Sequence, residues 1–507
     1  MTEDNGGAQM EYNRQIRQVA KGGSVDVLGR IIAKAIGTVG VAVMSRLLGA
    51  SAYGLYFVAH EVTRLLALVL RLGYASAILR YVGIYDGEKK RRRARAVVTG
   101  TVLTSLAATA AIAMVLAIWP QLVTERVYQK PLMTPVLRII GLRLPAQVMF
   151  ILLVFATMAR GTATYRAIGN VVLHSVMLGS VVVLCGLLGF GAQGAAYASL
   201  ISFTVAGGVA LMGLSRLYSA IRFEDLAHYE AGVVTSFSLP LLLGELSQYG
   251  LFRVNPVIGG KWLSEADLGK YGVASQVAVG GVFGLTALEQ IFSPIMADLH
   301  NRGKMEALRD MFSTTTRWAY YFTLPLMVVA VFKARSILHV FGPEFTEAVP
   351  LVQALCIGQL VNISTGPTGN ALMMLGHKWL FAIDSITMAV TNIVLCVVLT
   401  RWLGVIGLAL AGMTATAGVN LLRTFQLWRR YRISGYTMRA IRPVLISIPL
   451  LPLLLISLHP WWLDLLIPPS LFLAAFVAAV YLVGLDPDDR QVLEAVRRRL
   501  SRMLPGD

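Results

Sequence analysis

The chain has 507 residues, 56% of them apolar and only 14% charged, with a net charge of +18. That balance excludes an ordinary soluble domain. The cations gather at the ends of apolar runs, which speaks for membrane topology and against a nucleic-acid surface. About fourteen apolar stretches are long enough to cross a bilayer. They lie near 25–46, 54–79, 96–118, 133–158, 168–188, 194–214, 233–258, 271–297, 317–340, 348–374, 379–400, 404–427, 441–458 and 463–484.

Residues 1–23 are polar and lack the apolar core of a cleavable signal peptide, so they read as a cytoplasmic tail with an interfacial helix from Glu11. Span 1 carries Arg30 and Lys34, one helical turn apart on one face. Span 2 carries Glu61, Arg64 and Arg71, and the two arginines share a face nearly two turns apart. The run KKRRRAR at 89–95 follows it. Span 4 holds Arg138 and Arg143, and span 7 holds Glu245 and Arg253. Ser264 and Asp267 have capping-box spacing before span 8, which holds Glu289. Asp384 lies near the inner end of span 11, where a structural role is expected. Arginines 429, 430, 432, 439 and 442 separate spans 12 and 13. The tail 486–507 contains DPDDRQVLEAVRRRL, an amphipathic helix expected along the cytoplasmic surface. With both termini inside, cytoplasmic segments hold about 29 Lys and Arg and external loops about eight, which obeys the positive-inside rule.

One pattern is written twice. LLGASAYGLYFVA (47–59) aligns without a gap to WLSEADLGKYGVA (262–274) through Leu48/Leu263, Gly54/Gly269, Tyr56/Tyr271, Val58/Val273 and Ala59/Ala274. The offset of about 215 residues pairs span 1 with 7 and 2 with 8, both entering the membrane in the same sense, as in a parallel repeat.

A charge at mid-span costs roughly 2.5–3.5 kcal/mol on insertion scales. Arg30, Arg71 and Arg138 lie where snorkelling toward an interface serves them, and Glu61 with Arg64 has the spacing of a local ion pair. Lys34, Arg64 and Glu245 lie nearest mid-span and call for a polar interior lined by spans 1, 2, 7 and 8. The excess of cations there suits phosphate better than a cationic drug. Cys185, Cys356 and Cys396 sit inside apolar spans as packing residues. There is no phosphate-binding loop ending in GKS or GKT, no HExxH, no paired CxxC and no large external loop with a carboxylate pair, so neither an ATPase nor a metal or catalytic centre is expected.

RLLGASAYGLYFVA (46–59), GKYGVASQVA (269–278), VFGPEFTEAVPLV (340–352), the Gly376 turn and RWLGVIGLALAG (401–412) resemble the polysaccharide flippases of the multidrug/oligosaccharidyl-lipid/polysaccharide exporter superfamily. The resemblance implies an all-α polytopic fold of about fourteen helices, V-shaped, with two six-helix lobes and two further helices. On this sequence the parts are a tail 1–23, an N-lobe 24–220, a C-lobe 221–432, helices 13 and 14 at 433–485, and a tail 486–507. It implies a non-enzymatic transporter in the cytoplasmic membrane that moves polyprenyl-diphosphate-linked oligosaccharide outward by alternating access. Polymerases or glycosyltransferases would be its neighbours, with no nucleic-acid partner. Arg30, Lys34, Arg64, Arg71 and Arg253 would line the substrate cavity, and Glu245, Glu61 and Glu289 are the candidates to carry a coupling H⁺ or Na⁺. The alternatives are a multidrug or organic-cation antiporter of the same superfamily, which calls for acidic lobes, and a membrane-embedded polymerase or ligase, which calls for a large external loop.

Overall fold

The computed structural model describes residues 4–217 and 223–483, so the expected amphipathic tail 486–507 lies outside the described residues. All regular structure among them is helical, and the chain is an all-α polytopic membrane protein. The first helices are α1 (Asp4–Leu70), α2 (Tyr74–Gly87), α3 (Arg91–Ile118), α4 (Gln121–Thr124), α5 (Thr134–Gly141), α6 (Leu144–Ala159), α7 (Thr164–Val181) and α8 (Gly191–Leu217). Then come α9 (Ala231–Phe252), α10 (Asn255–Gly259), α11 (Glu265–Gly280), α12 (Phe283–Asn301), α13 (Met305–Phe332), α14 (Ala334–Phe341), α15 (Val349–Thr365) and α16 (Thr368–Met374). The last are α17 (Lys378–Tyr431), α18 (Met438–Ser447), α19 (Leu451–Leu455) and α20 (Trp461–Val483).

Seven of the described helices are long and apolar enough to cross a membrane, or up to nine if each of two bent pairs counts as one span. Part of the difference from about fourteen is that α1 and α17 each run through two expected spans. Gly49 (φ 74°) breaks α1 and Gly404 (φ 61°) breaks α17, both in the left-handed region open to glycine. Expected spans 7 and 8 are not among the helices that pass. They carry Glu245 and Glu289, whose charges lower the local hydropathy, and expected span 8 is divided between α11 and α12.

Contacts divide the chain into two compact units, Met1–Gly272 and Val273–Asp507. The division falls inside α11. Helix α9 packs with the first unit: Tyr74 Oη lies 3.1 Å from Thr235 Oγ1, and the Arg80 guanidinium stands 4.5 Å over the Phe237 ring. The repeat divides the sequence by likeness, whereas packing divides it by contact.

In the first unit α1 lies against α7 and α8, and the buried polar residue Arg143 joins three elements. Its Nη1 donates to His60 Nδ1 (2.9 Å) and Ser199 Oγ (2.5 Å), and its Nη2 to Thr63 Oγ1 (2.7 Å). The second unit packs Met296, Leu308, Phe312, Leu372, Leu375 and Leu427 into one buried cluster. Lys333 Nζ donates to Asp464 Oδ1 (2.6 Å), which ties α20 to the α13–α14 corner. Cys185, Cys356 and Cys396 are buried free thiols.

Candidate functional site

The second half of α1 ends at Leu70, and the backbone turns through Leu72 (φ 52°) and Gly73 (φ 70°) before α2 begins. A left-handed residue other than glycine is uncommon and costs roughly 1–2 kcal/mol. A Cβ on Gly73 would stand 2.4 Å from the Ser238 carbonyl oxygen of α9, so only glycine fits this approach. Irregular backbone within an apolar stretch survives only where protein or a polar cavity surrounds it. The break places Arg71 beside α9, where its Nη2 donates to Glu245 Oε2 at 2.7 Å.

One face earlier on the same half of α1, Arg64 Nη1 reaches Glu61 Oε1 at 3.4 Å. Glu61 is buried, and Tyr249 Oη on α9 donates to its carbonyl oxygen at 2.9 Å. The charges of Arg253 and Arg64 both act on Lys34, and those of Arg64 and, in the opposite sense, Glu61 act on Arg253. Lys34 is half-buried and Arg253 exposed, and neither has a carboxylate within ion-pair distance among the described residues. The structure thus gathers Lys34, Arg64 and Arg253 in the first unit, next to Glu61, and sets Arg71 with Glu245 on the same two helices. Four cations stand against two carboxylates, and the arrangement offers guanidinium forks and an ammonium to an anion.

Other expected site residues are placed elsewhere. Arg30 is drawn to Asp26 (3.2 Å), which also accepts from Arg166 Nε at 2.8 Å. Sequence reasoning missed Asp26, because its partner Arg166 is distant in sequence. Glu289 belongs to the second unit and is hydrogen-bonded to Asn370. Asp384 is buried and accepts from Gln426 Nε2 at 2.9 Å, a structural arrangement, while Arg138 is exposed on α5. Glu245 and Arg253 lie eight residues apart on span 7, too far along the axis to pair directly. The partner is instead Arg71, brought across by the break after Leu70.

The two copies of the repeated pattern meet at their glycines. A Cβ on Gly54 would fall 1.8 Å from the Glu265 carbonyl oxygen, and one on Gly269 would fall 2.1 Å from that of Ala50. The Ser264–Asp267 capping box forms, with the Asp267 amide donating to Ser264 Oγ at 3.1 Å. Beside it Lys130 Nζ donates to Leu263 O (2.8 Å) and Glu265 Oε1 (3.0 Å). Burial raises the Glu265 carboxyl, but its own backbone amide and Lys130 outweigh that and hold it below the usual glutamate range.

Over residues 43–350 the sequence matches the family described as polysaccharide biosynthesis protein. The chain belongs to that family. Arg64, Arg71, Glu245, Arg253 and Glu289 of this polysaccharide biosynthesis protein fall inside the matched region, and Arg30 and Lys34 precede it. No curated protein sequence matches it significantly. Its fold is similar to that of the lipid II flippase MurJ in an inward closed conformation, at TM-score 0.72 and 13% identity, covering 89% of this chain and 98% of that one. It is also similar to an inward-facing multidrug resistance MATE family transporter of the MOP superfamily, at TM-score 0.65 and 15% identity, covering 80% and 98%. A third similar structure is a MOP superfamily transporter from Pyrococcus furiosus, described as having a binding pocket of reverse polarity, at TM-score 0.51 and 16% identity, covering 83% and 96%. At these identities the likeness is one of fold.

Proposed function

We propose that this chain is a flippase that moves polyprenyl-diphosphate-linked oligosaccharide from the cytoplasmic to the outer leaflet by alternating access. The observation that carries the reading is the group Lys34, Arg64 and Arg253, in which Lys34 and Arg253 have no carboxylate partner among the described residues. Cations gathered on an apolar chain repel one another and are costly unless an anion joins them. A diphosphate bears the charge and the acceptor oxygens to do so, while the polyprenyl chain stays in lipid. Membership of a polysaccharide biosynthesis family and the likeness to a lipid II flippase support a lipid-linked sugar as cargo.

The headgroup crosses without a covalent step. An H⁺ or Na⁺ gradient is the proposed driving force, with Glu245, Glu61 and Glu289 as the carboxylates available to carry it. The protein works in the cytoplasmic membrane with both termini inside, among the glycosyltransferases and polymerase of surface polysaccharide assembly, as 24–220 and 221–432 alternate. The likeness to a multidrug MATE transporter favours a second reading, export of organic cations, which the cationic cluster opposes.

Reconstituted vesicles loaded with polyprenyl-diphosphate-linked oligosaccharide test both. Lys34→Gln and Arg253→Gln are expected to slow flipping about tenfold each, as loss of one charge-assisted contact would. Normal flipping in both variants, or transport of organic cations instead, overturns the proposal.

A further inference from the structure

The Arg71–Glu245 pair differs from the other ion pair of the cluster. Arg64–Glu61 closes within one helix, whereas Arg71–Glu245 bridges the break after Leu70 and α9. It is only partly covered: the Arg71 side chain is 17% exposed and that of Glu245 27%. A fully buried pair cannot part without stranding a bare carboxylate in a dry interior. Here the carboxylate keeps an uncovered side to turn to. The Arg71 guanidinium is also incompletely used, since its buried Nε has no hydrogen-bond partner. The backbone beside it is held in an unusual conformation at Leu72, a kind of strain that collects at binding sites.

A phosphate oxygen and a carboxylate oxygen ask the same thing of a guanidinium. A diphosphate brings more charge and more acceptors than one glutamate, and Lys34 and Arg253 favour its arrival. We infer that Glu245 is an internal stand-in for the substrate's phosphate: it occupies Arg71 while the site is empty and yields the guanidinium when a phosphate-bearing headgroup enters. This rests on the anionic substrate proposed above. It adds that Arg71 is a substrate-binding residue gated by Glu245, and that the site's affinity is tuned down by an internal competitor so that cargo can leave.

Two substitutions that break the same ion pair separate exchange from a structural clamp. Full-length protein in detergent is titrated calorimetrically with inorganic diphosphate and with geranyl diphosphate. Exchange gives opposite signs. Glu245→Gln removes the competitor and binds about tenfold tighter, near 1.4 kcal/mol, while Arg71→Gln binds at least tenfold more weakly. Glu245→Asp, which keeps the charge but draws it back from Arg71, gives a smaller gain and covers the case in which Glu245→Gln does not fold. Equal gains for both ligands place the exchange at the diphosphate itself, and a gain for geranyl diphosphate alone places it at a lipid-borne one. If Glu245→Gln and Glu245→Asp weaken or leave binding unchanged while Lys34→Gln and Arg64→Gln still weaken it, the stand-in role is wrong and the anionic site survives. If wild-type protein binds neither ligand, the anionic site and the stand-in fall together.

Discussion

Arg143 presents a cation in the core of the first unit, fully buried, whose hydrogen-bond partners are all neutral. Arginine has no acceptor, so His60 Nδ1 must receive its bond and carries no proton. The guanidinium also stands 5.1 Å over the Phe203 ring, and its Nε has no partner. Two replacements divide charge from geometry. Arg143→Lys keeps the charge, but one ammonium cannot span positions served by two guanidinium nitrogens. It loses about two charge-assisted bonds at roughly 1.5–3 kcal/mol each, or about 3–6 kcal/mol. Arg143→Met loses all three but also removes the cost of burying a charge. Thr63 keeps its bond to the Ala59 carbonyl (2.9 Å), and Tyr56 Oη lies 3.4 Å from His60 Nδ1. The remaining cost is that of an under-satisfied acceptor or two, roughly 1–3 kcal/mol. Thermal melting in detergent should therefore rank wild type above Arg143→Met, and Arg143→Met above Arg143→Lys. If Lys melts above Met, the positive charge itself stabilises the core, and the account in terms of neutral acceptors is refuted.

Two further outcomes follow from the meeting of the repeated segments. Gly54→Ala and Gly269→Ala each force a methyl against a carbonyl oxygen, at 1.8 Å and 2.1 Å, and should cost about 1–3 kcal/mol or more. Gly40→Ala, with nothing within 4 Å of the added carbon, should melt like wild type, and equal melting of all three would contradict the packing described. Glu265 is held below the usual glutamate range, so its pair with Lys130 adds stability above the unfolded value, near pH 4.3, and loses it as pH falls through the lower folded value. Acid melting curves should be steeper for wild type than for Glu265→Gln, and parallel curves would remove Glu265 from the acid response.

Hydropathy and charge in the sequence determined the class of molecule, because a bilayer admits few ways of satisfying a backbone. The duplicated Gly54 and Gly269 pointed to a two-fold design, since each copy kept the residue its close approach requires. The same reasoning singled out Lys34, Arg64, Arg71, Glu245 and Arg253 as candidates, because a charge inside an apolar run is costly enough to stand out. Which charge meets which was decided only in three dimensions. Along its own helix Glu245 has no cation close enough to pair with, and Arg71, just before a two-residue break at Leu72 and Gly73, reaches it from the end of α1. Arg30 and Arg166 share Asp26 from different helices, and Arg143 takes neutral acceptors from the second half of α1 and from α8. The division between compact units at 272 is likewise a matter of contact, with α9 joined to the first unit through Tyr74 and Thr235. Sequence records the cost of a buried charge at its own position, but the partner that offsets it comes from tertiary packing, where residues far apart in the chain become neighbours.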